Sequence, residues 1–125
     1  MKKRFFTIAV ILCCAVTMLL FSSCKHENDT LYFYEATGNL AYVGEDGSVP
    51  AKVLIEFAKA IETIVAPDQG VNEPVDNQVI AVCDSVYESQ KATYGNNLHG
   101  TVEIFRYDHT SGLPQTSKFI KDYIF

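Results

Sequence analysis

Three histidines, four cysteines and fifteen carboxylates are the residues most able to carry chemistry in this chain, and their spacing gives them little of it to do. A zinc-type site draws on His or Cys ligands held a few residues apart in pairs. His26, His99 and His109 pair with no other His or Cys at such a spacing. His99 and His109 flank a predicted strand over 101–108, which puts them at its opposite ends, too far apart to share an ion. The chain has no Gly-x-Ser-x-Gly elbow, no phosphate-cradling glycine loop and no Gly-x-Gly-x-x-Gly. Gly95-Asn96-Asn97-Leu98-His99-Gly100 is glycine-flanked, but it leaves a predicted helix instead of opening one and reads as a connection. Glu45-Asp46 falls in a turn, where carboxylates are solvated, and nothing selects a catalytic pair among the other acids. The expectation is a protein that is not an enzyme, with no catalytic residue, no metal and no cofactor.

The elements around these residues begin with an export signal. Lys2, Lys3 and Arg4 precede an apolar run from Phe5 to Phe21, interrupted by Thr7 and Thr17. Positive charge holds such a terminus on the cytoplasmic side while the apolar segment inserts. Ser22 and Ser23 are small enough for a peptidase site, and Cys24 follows them. The arrangement resembles the signal peptide of a bacterial lipoprotein, with Phe21-Ser22-Ser23-Cys24 as the lipobox. Phe21 stands where that pattern usually has leucine, with Leu20 one step earlier. An ordinary secretory signal and an uncleaved anchor are the competing readings of the same segment. The resemblance implies a signal peptide over 1–23, a lipidated Cys24, and a membrane held through that modified N-terminal cysteine.

Lys25-His26-Glu27-Asn28-Asp29 is polar and partly acidic. It reads as a flexible tether over 24–29, since polar termini are usually mobile. It also resembles, loosely, the acidic stretch that directs some lipoproteins to the surface of Gram-negative anaerobes. Lys25 stands where enteric lipoproteins retained at the inner membrane carry aspartate. The resemblance therefore implies the outer membrane, facing either the periplasm or the cell surface.

Removing 23 residues leaves 102, enough for a single domain over 30–125 that buries about two-thirds of its unfolded surface. That mature chain carries seven basic against fifteen acidic residues, a net charge of −8. Such a domain repels nucleic acid and anionic lipid headgroups, so neither is expected as a partner beyond the lipid anchor itself. Cys13 and Cys14 leave with the signal and Cys24 is modified, so Cys83 remains without a disulfide partner. An odd cysteine in an exported protein is a reactive thiol, an intermolecular link or a buried small hydrophobe; the neighbours Val79, Ile80, Val82 and Val86 favour burial.

The domain reads as α+β. Residues 30–43 are rich in Tyr, Phe, Leu and Thr and suit a strand, with Gly38-Asn39 either bending it or making it a hairpin. Glu45-Asp46-Gly47 is a turn, after which Ser48 is placed to cap a helix with Pro50 in its first turn. Val53, Leu54, Phe57, Ala58, Ile61, Ile64 and Val65 fall at helical spacing, and the helix is expected to end near Ala66. A loop spans Pro67 to Pro74. A second helix is predicted from Asp76 as N-cap, with Val79, Ile80, Cys83, Val86 and Tyr87 as its stripe and Gly95 as its stop. Strands over 101–108 and 117–125, joined by a turn holding Ser111-Gly112, form a hairpin. The order β-α-α-β-β is solved most simply by a three-stranded (or four-stranded) antiparallel sheet with two helices on one face.

Two helices cover only one face of such a sheet. Strand alternation places Phe105, Tyr107, Phe119, Tyr123 and Phe125 on one face, and Val102, Ile104, Ile120 and Ile124 on the other, mixed with Arg106, Asp108 and Asp122. An uncovered apolar face often marks an interaction site; the competing reading has one set packed under the helices and the other shielded by the N-terminal segment or a loop. On the first reading Phe105, Tyr107, Phe119 and Tyr123 are the candidate binding face, with Tyr32, Tyr34 and Tyr42 as further aromatic material or ordinary strand formers. The expected function is a non-catalytic lipoprotein engaging an envelope protein; the alternative is a glycan or small-ligand binder using the aromatic face. Composition and pattern leave the oligomeric state open.

Overall fold

The computed structural model describes residues 29–125; the signal peptide, the lipobox and Cys24 lie outside the described residues, as does all but the last residue of the tether. Strand β1, Thr30–Tyr42, runs unbroken, so Gly38-Asn39 makes no hairpin and the sheet has three strands. It turns Tyr34 into the core, with Tyr32, Ala36, Leu40 and Tyr42 packed against it. Those residues share one parity, so Leu31, Phe33, Glu35 and Thr37 face the other way. Helix α1, Val49–Glu62, buries Val49, Val53, Phe57 and Ile61, a row spaced by four that follows the helical repeat. It stops short of Ala66. Thr63 and Ile64 donate to carbonyls three residues back, and the Thr63 hydroxyl bonds the Ala60 carbonyl at 2.6 Å, tightening the last turn.

Helix α2, Asp76–Tyr94, buries Val79 and Cys83. Gly95, at φ 55°, ends it in a backbone region that favours glycine. A short 3-10 turn, Gly95–Asn97, leads into β2, Leu98–Thr110, and β3, Thr116–Ile124, returns beside it. The sheet order is β1-β2-β3, antiparallel. Across the β1–β2 seam the Val43 amide donates to the Asn97 carbonyl at 2.7 Å. At the outer edge of β1, Tyr32 and Val71 of the interhelical loop exchange both backbone bonds, so that loop covers part of the edge. Helix α1 packs on β1 and on α2, and α2 also reaches β3, so both helices lie on one face of the sheet.

The two helix starts differ from their sequence signatures. Ser48 stands at the N-cap of α1 but makes no side-chain cap bond. Its amide and hydroxyl both donate to the Asp46 carboxylate, which also pairs with Lys52 at 3.1 Å. These donors hold Asp46 well below the usual carboxylate range, at about 2. Asp76 is the first helical residue rather than the cap, and its carboxylate is engaged by the sheet. Among the described residues, the largest fully buried side chains are Phe57, Leu98, Ile104, Val53, Val65, Val79, Val102 and Cys83. Thr30–His109 and Leu113–Phe125 make up this compact unit; among the described residues, Asp29 and Thr110–Gly112 group separately from it.

Candidate interaction surface

The register of the β2–β3 hairpin decides which aromatic side chains share a face. Gly100 and Phe125 exchange both backbone hydrogen bonds, at 3.4 and 2.8 Å. Val102 then lies opposite Tyr123, Glu103 opposite Asp122 and Ile104 opposite Lys121. Between Ile104 and Phe105 the register shifts by one, so Phe105 meets Phe119 and Ile120 is the extra residue of a β-bulge. An extra residue reverses the alternation of everything beyond it. Phe119 and Tyr123 therefore lie on opposite faces of the sheet.

This corrects the expected grouping. Phe105, Tyr107 and Phe119 occupy the face away from the helices. Tyr123 is a core residue, 2% exposed, opposite Val102 and beneath α2. Its ring lies 5.4 Å from Phe57 and 5.1 Å from Tyr87. Phe125 likewise packs against Tyr87, at 5.0 Å. Ile124 and Asp122 move the other way, to the uncovered face, where Ile124 is exposed. Of the β1 tyrosines, Tyr34 is buried, and Tyr32 and Tyr42 pack against the core, so none adds to the candidate face.

The uncovered face is built around one aromatic pair. Phe105 and Phe119 stand directly opposite, rings 5.8 Å apart and nearly perpendicular at 73°, a favoured edge-to-face arrangement. Phe119 remains 49% exposed. Beside them the Tyr107 hydroxyl hydrogen-bonds the Glu35 carboxylate, which holds the phenol above its usual range. Leu31 and Ile124 are also exposed on this face, Ile124 beyond the Glu103–Asp122 pair.

The opposite face holds two polar clusters that the sequence did not announce. Arg106, its side chain 12% exposed, bonds the Asp108 carboxylate with two nitrogens, at 2.7 and 3.0 Å, and Asp76 at 3.1 Å. Tyr34 donates to Asp76 at 2.5 Å and accepts from the Val75 amide at 2.8 Å. Burial, then the bond to Asp76, pushes the Tyr34 phenol up to about 12. The cluster fastens the first turn of α2 to β1 and β2. The available signal was Arg106 and Asp108 at alternate positions after the core residues Val102 and Ile104. Polar residues continuing an inward stripe must find partners inside.

The second cluster joins α2 to β3. Asp84 accepts from Lys121 and from the Tyr123 hydroxyl, both at 2.8 Å. These bonds hold Asp84 below the usual carboxylate range, and burial with the Asp84 bond raises Tyr123. Both groups line a cleft of about 400 Å³ with Tyr87, Glu88, Asp122 and Ile124. With Asp84 ionised and Tyr123 protonated at neutral pH, these two groups offer the cleft polar contacts. Among the described residues, no group of three or more His, Cys, Asp or Glu side chains could hold a metal ion. Also among them, no helix is long and apolar enough to cross a membrane. No protein-family model, no curated protein and no solved structure matches this chain.

Proposed function

We propose that this protein is a lipid-anchored component of the bacterial cell envelope, held at the outer membrane through Cys24, that docks a partner protein on the uncovered face of its sheet. The observation that carries the docking reading is Phe119, half exposed and set edge-to-face against the partly buried Phe105, on a face that neither helix covers. Exposed aromatic patches of this kind supply the anchors of protein interfaces. The lipobox-like Phe21-Ser22-Ser23-Cys24 supports the anchor. A glycan is the second reading, favoured by the Glu35–Tyr107 pair beside exposed rings.

Two experiments test the halves separately. Cys24→Ala should block acylation and leave an unprocessed precursor; maturation at the normal size would sink the anchor. For docking, a photo-crosslinking side chain at position 119 should trap a discrete higher-mass species in cells. The same group at Ile55, exposed on α1, should not. Equal yields at both positions would remove the docking reading.

A further inference from the structure

The charges around the uncovered face all have one sign. Glu35, Glu103 and Asp122 lie on it, and among the described residues no Lys or Arg of the sheet does. Arg106 and Lys121 are drawn to the helix side by Asp76, Asp108 and Asp84. Lys118 stands opposite Arg106 and shares its side of the ladder.

Two of these acids also stand directly opposite one another on the ladder. Because Gly100 and Phe125 form a hydrogen-bonded pair, alternation makes Glu103–Asp122 a pair without mutual backbone bonds, the kind in which side chains stand closest. Like charges directly opposite one another destabilise a sheet. A cation set between them would relieve that cost.

We infer that the surface docked here has an apolar centre seated over Phe105 and Phe119 and a rim of Lys or Arg paired with Glu35, Glu103 and Asp122. The inference rests on the protein-docking reading and adds the chemistry of the partner. A second copy would set acids against acids, which costs specificity and affinity. Strand addition to β3 is also hindered. The bulge distorts that edge, Lys118 and Lys121 lie along it, and the Tyr87 hydroxyl already takes the Ile124 carbonyl at 2.5 Å.

The test uses the purified full chain in non-ionic detergent and two short peptides, one alternating Lys with Phe and one alternating Glu with Phe, followed by amide NMR. The Lys–Phe peptide should shift Glu35, Glu103, Phe105 and Phe119, and the Glu–Phe peptide should not. E35Q/E103Q/D122N should weaken Lys–Phe binding about tenfold, the sum of three exposed ion pairs. Its spectrum reports whether the fold is kept. Neutralising Glu56, Glu62 and Glu88, off this face, should change affinity by less than about twofold. Equal losses from both sets would reduce the effect to net charge and overturn the inference.

If both peptides bind this face equally, the charge rule is wrong while the docking reading stands. If neither shifts it, both fall. Sedimentation separates the remaining occupant: a dimer that F105S/F119S dissociates would make the second copy the partner and overturn the basic rim.

Discussion

Phe119 and Tyr123 lie four residues apart on one strand and on opposite faces of the sheet, because Ile120 is the extra residue of a bulge between them. One ring is half in solvent and the other is locked beneath α2. Phe119→Ser should therefore cost less than about 1 kcal/mol of stability, and Tyr123→Ala about 3–5 kcal/mol. Urea denaturation of the two variants checks this. Equal costs would mean that the bulge does not separate their environments. Binding assays on this face belong with Phe105 and Phe119, since loss of Tyr123 perturbs the whole core.

Arg106→Met should cost about 3 kcal/mol, because it leaves the carboxylates of Asp76 and Asp108 close together, three-quarters buried and without their cation. A double-mutant cycle with Asp76→Asn should show coupling, since the two residues share one network. Additive losses would mean that the Arg106–Asp76 contact contributes nothing measurable in solution.

Burial pushes the Cys83 thiol up to about 12, with the neighbouring Asp84 charge adding to the shift. A folded pKa above the unfolded one gives stability that is complete below about pH 9 and lost as pH rises towards 12. Tyr34 loses its contribution over the upper part of that range. Chemical denaturation should show stability falling between those limits, less steeply in Cys83→Ala. A thiol reagent should label Cys83 only as fast as the protein opens. Rapid labelling of the native protein would contradict the burial.

Gly100→Ala should destabilise by about 1–3 kcal/mol. Gly100 has φ 125°, and a Cβ there would stand 2.1 Å from the Asn39 carbonyl oxygen of β1. That neighbour is backbone and cannot step aside without opening the β1–β2 seam. A lower urea midpoint with an unchanged slope is the expected result. An unchanged midpoint would show that the strands are not this close.

Much of the scaffold was legible because its signals are local. The row Val53, Phe57, Ile61 repeats every four residues, as a helix lying on a sheet requires. Gly95 stops α2 because its backbone adopts positive φ. Val102 and Ile104 alternate into the core as a half-buried strand does. The Phe105–Phe119 half of the aromatic face was readable from the same alternation. The Tyr123 half was not, because a bulge belongs to the pairing of two strands and leaves no mark on the alternation of one.

The caps divide in the same way. Ser48 and Asp76 carry residue types that favour helix starts, yet Asp46 and Arg106 claimed their side chains. A charged partner outcompetes a neutral backbone amide where geometry allows it.

The element order β-α-α-β-β and the acidic charge follow from residue types and short-range periodicity alone. That Glu103 faces Asp122, that Arg106 meets Asp76 across thirty residues, and that Tyr123 is core while Phe119 is surface all came from the packing of distant segments. Those relationships depend on strand register and helix docking, and both are set by long-range packing of the whole chain.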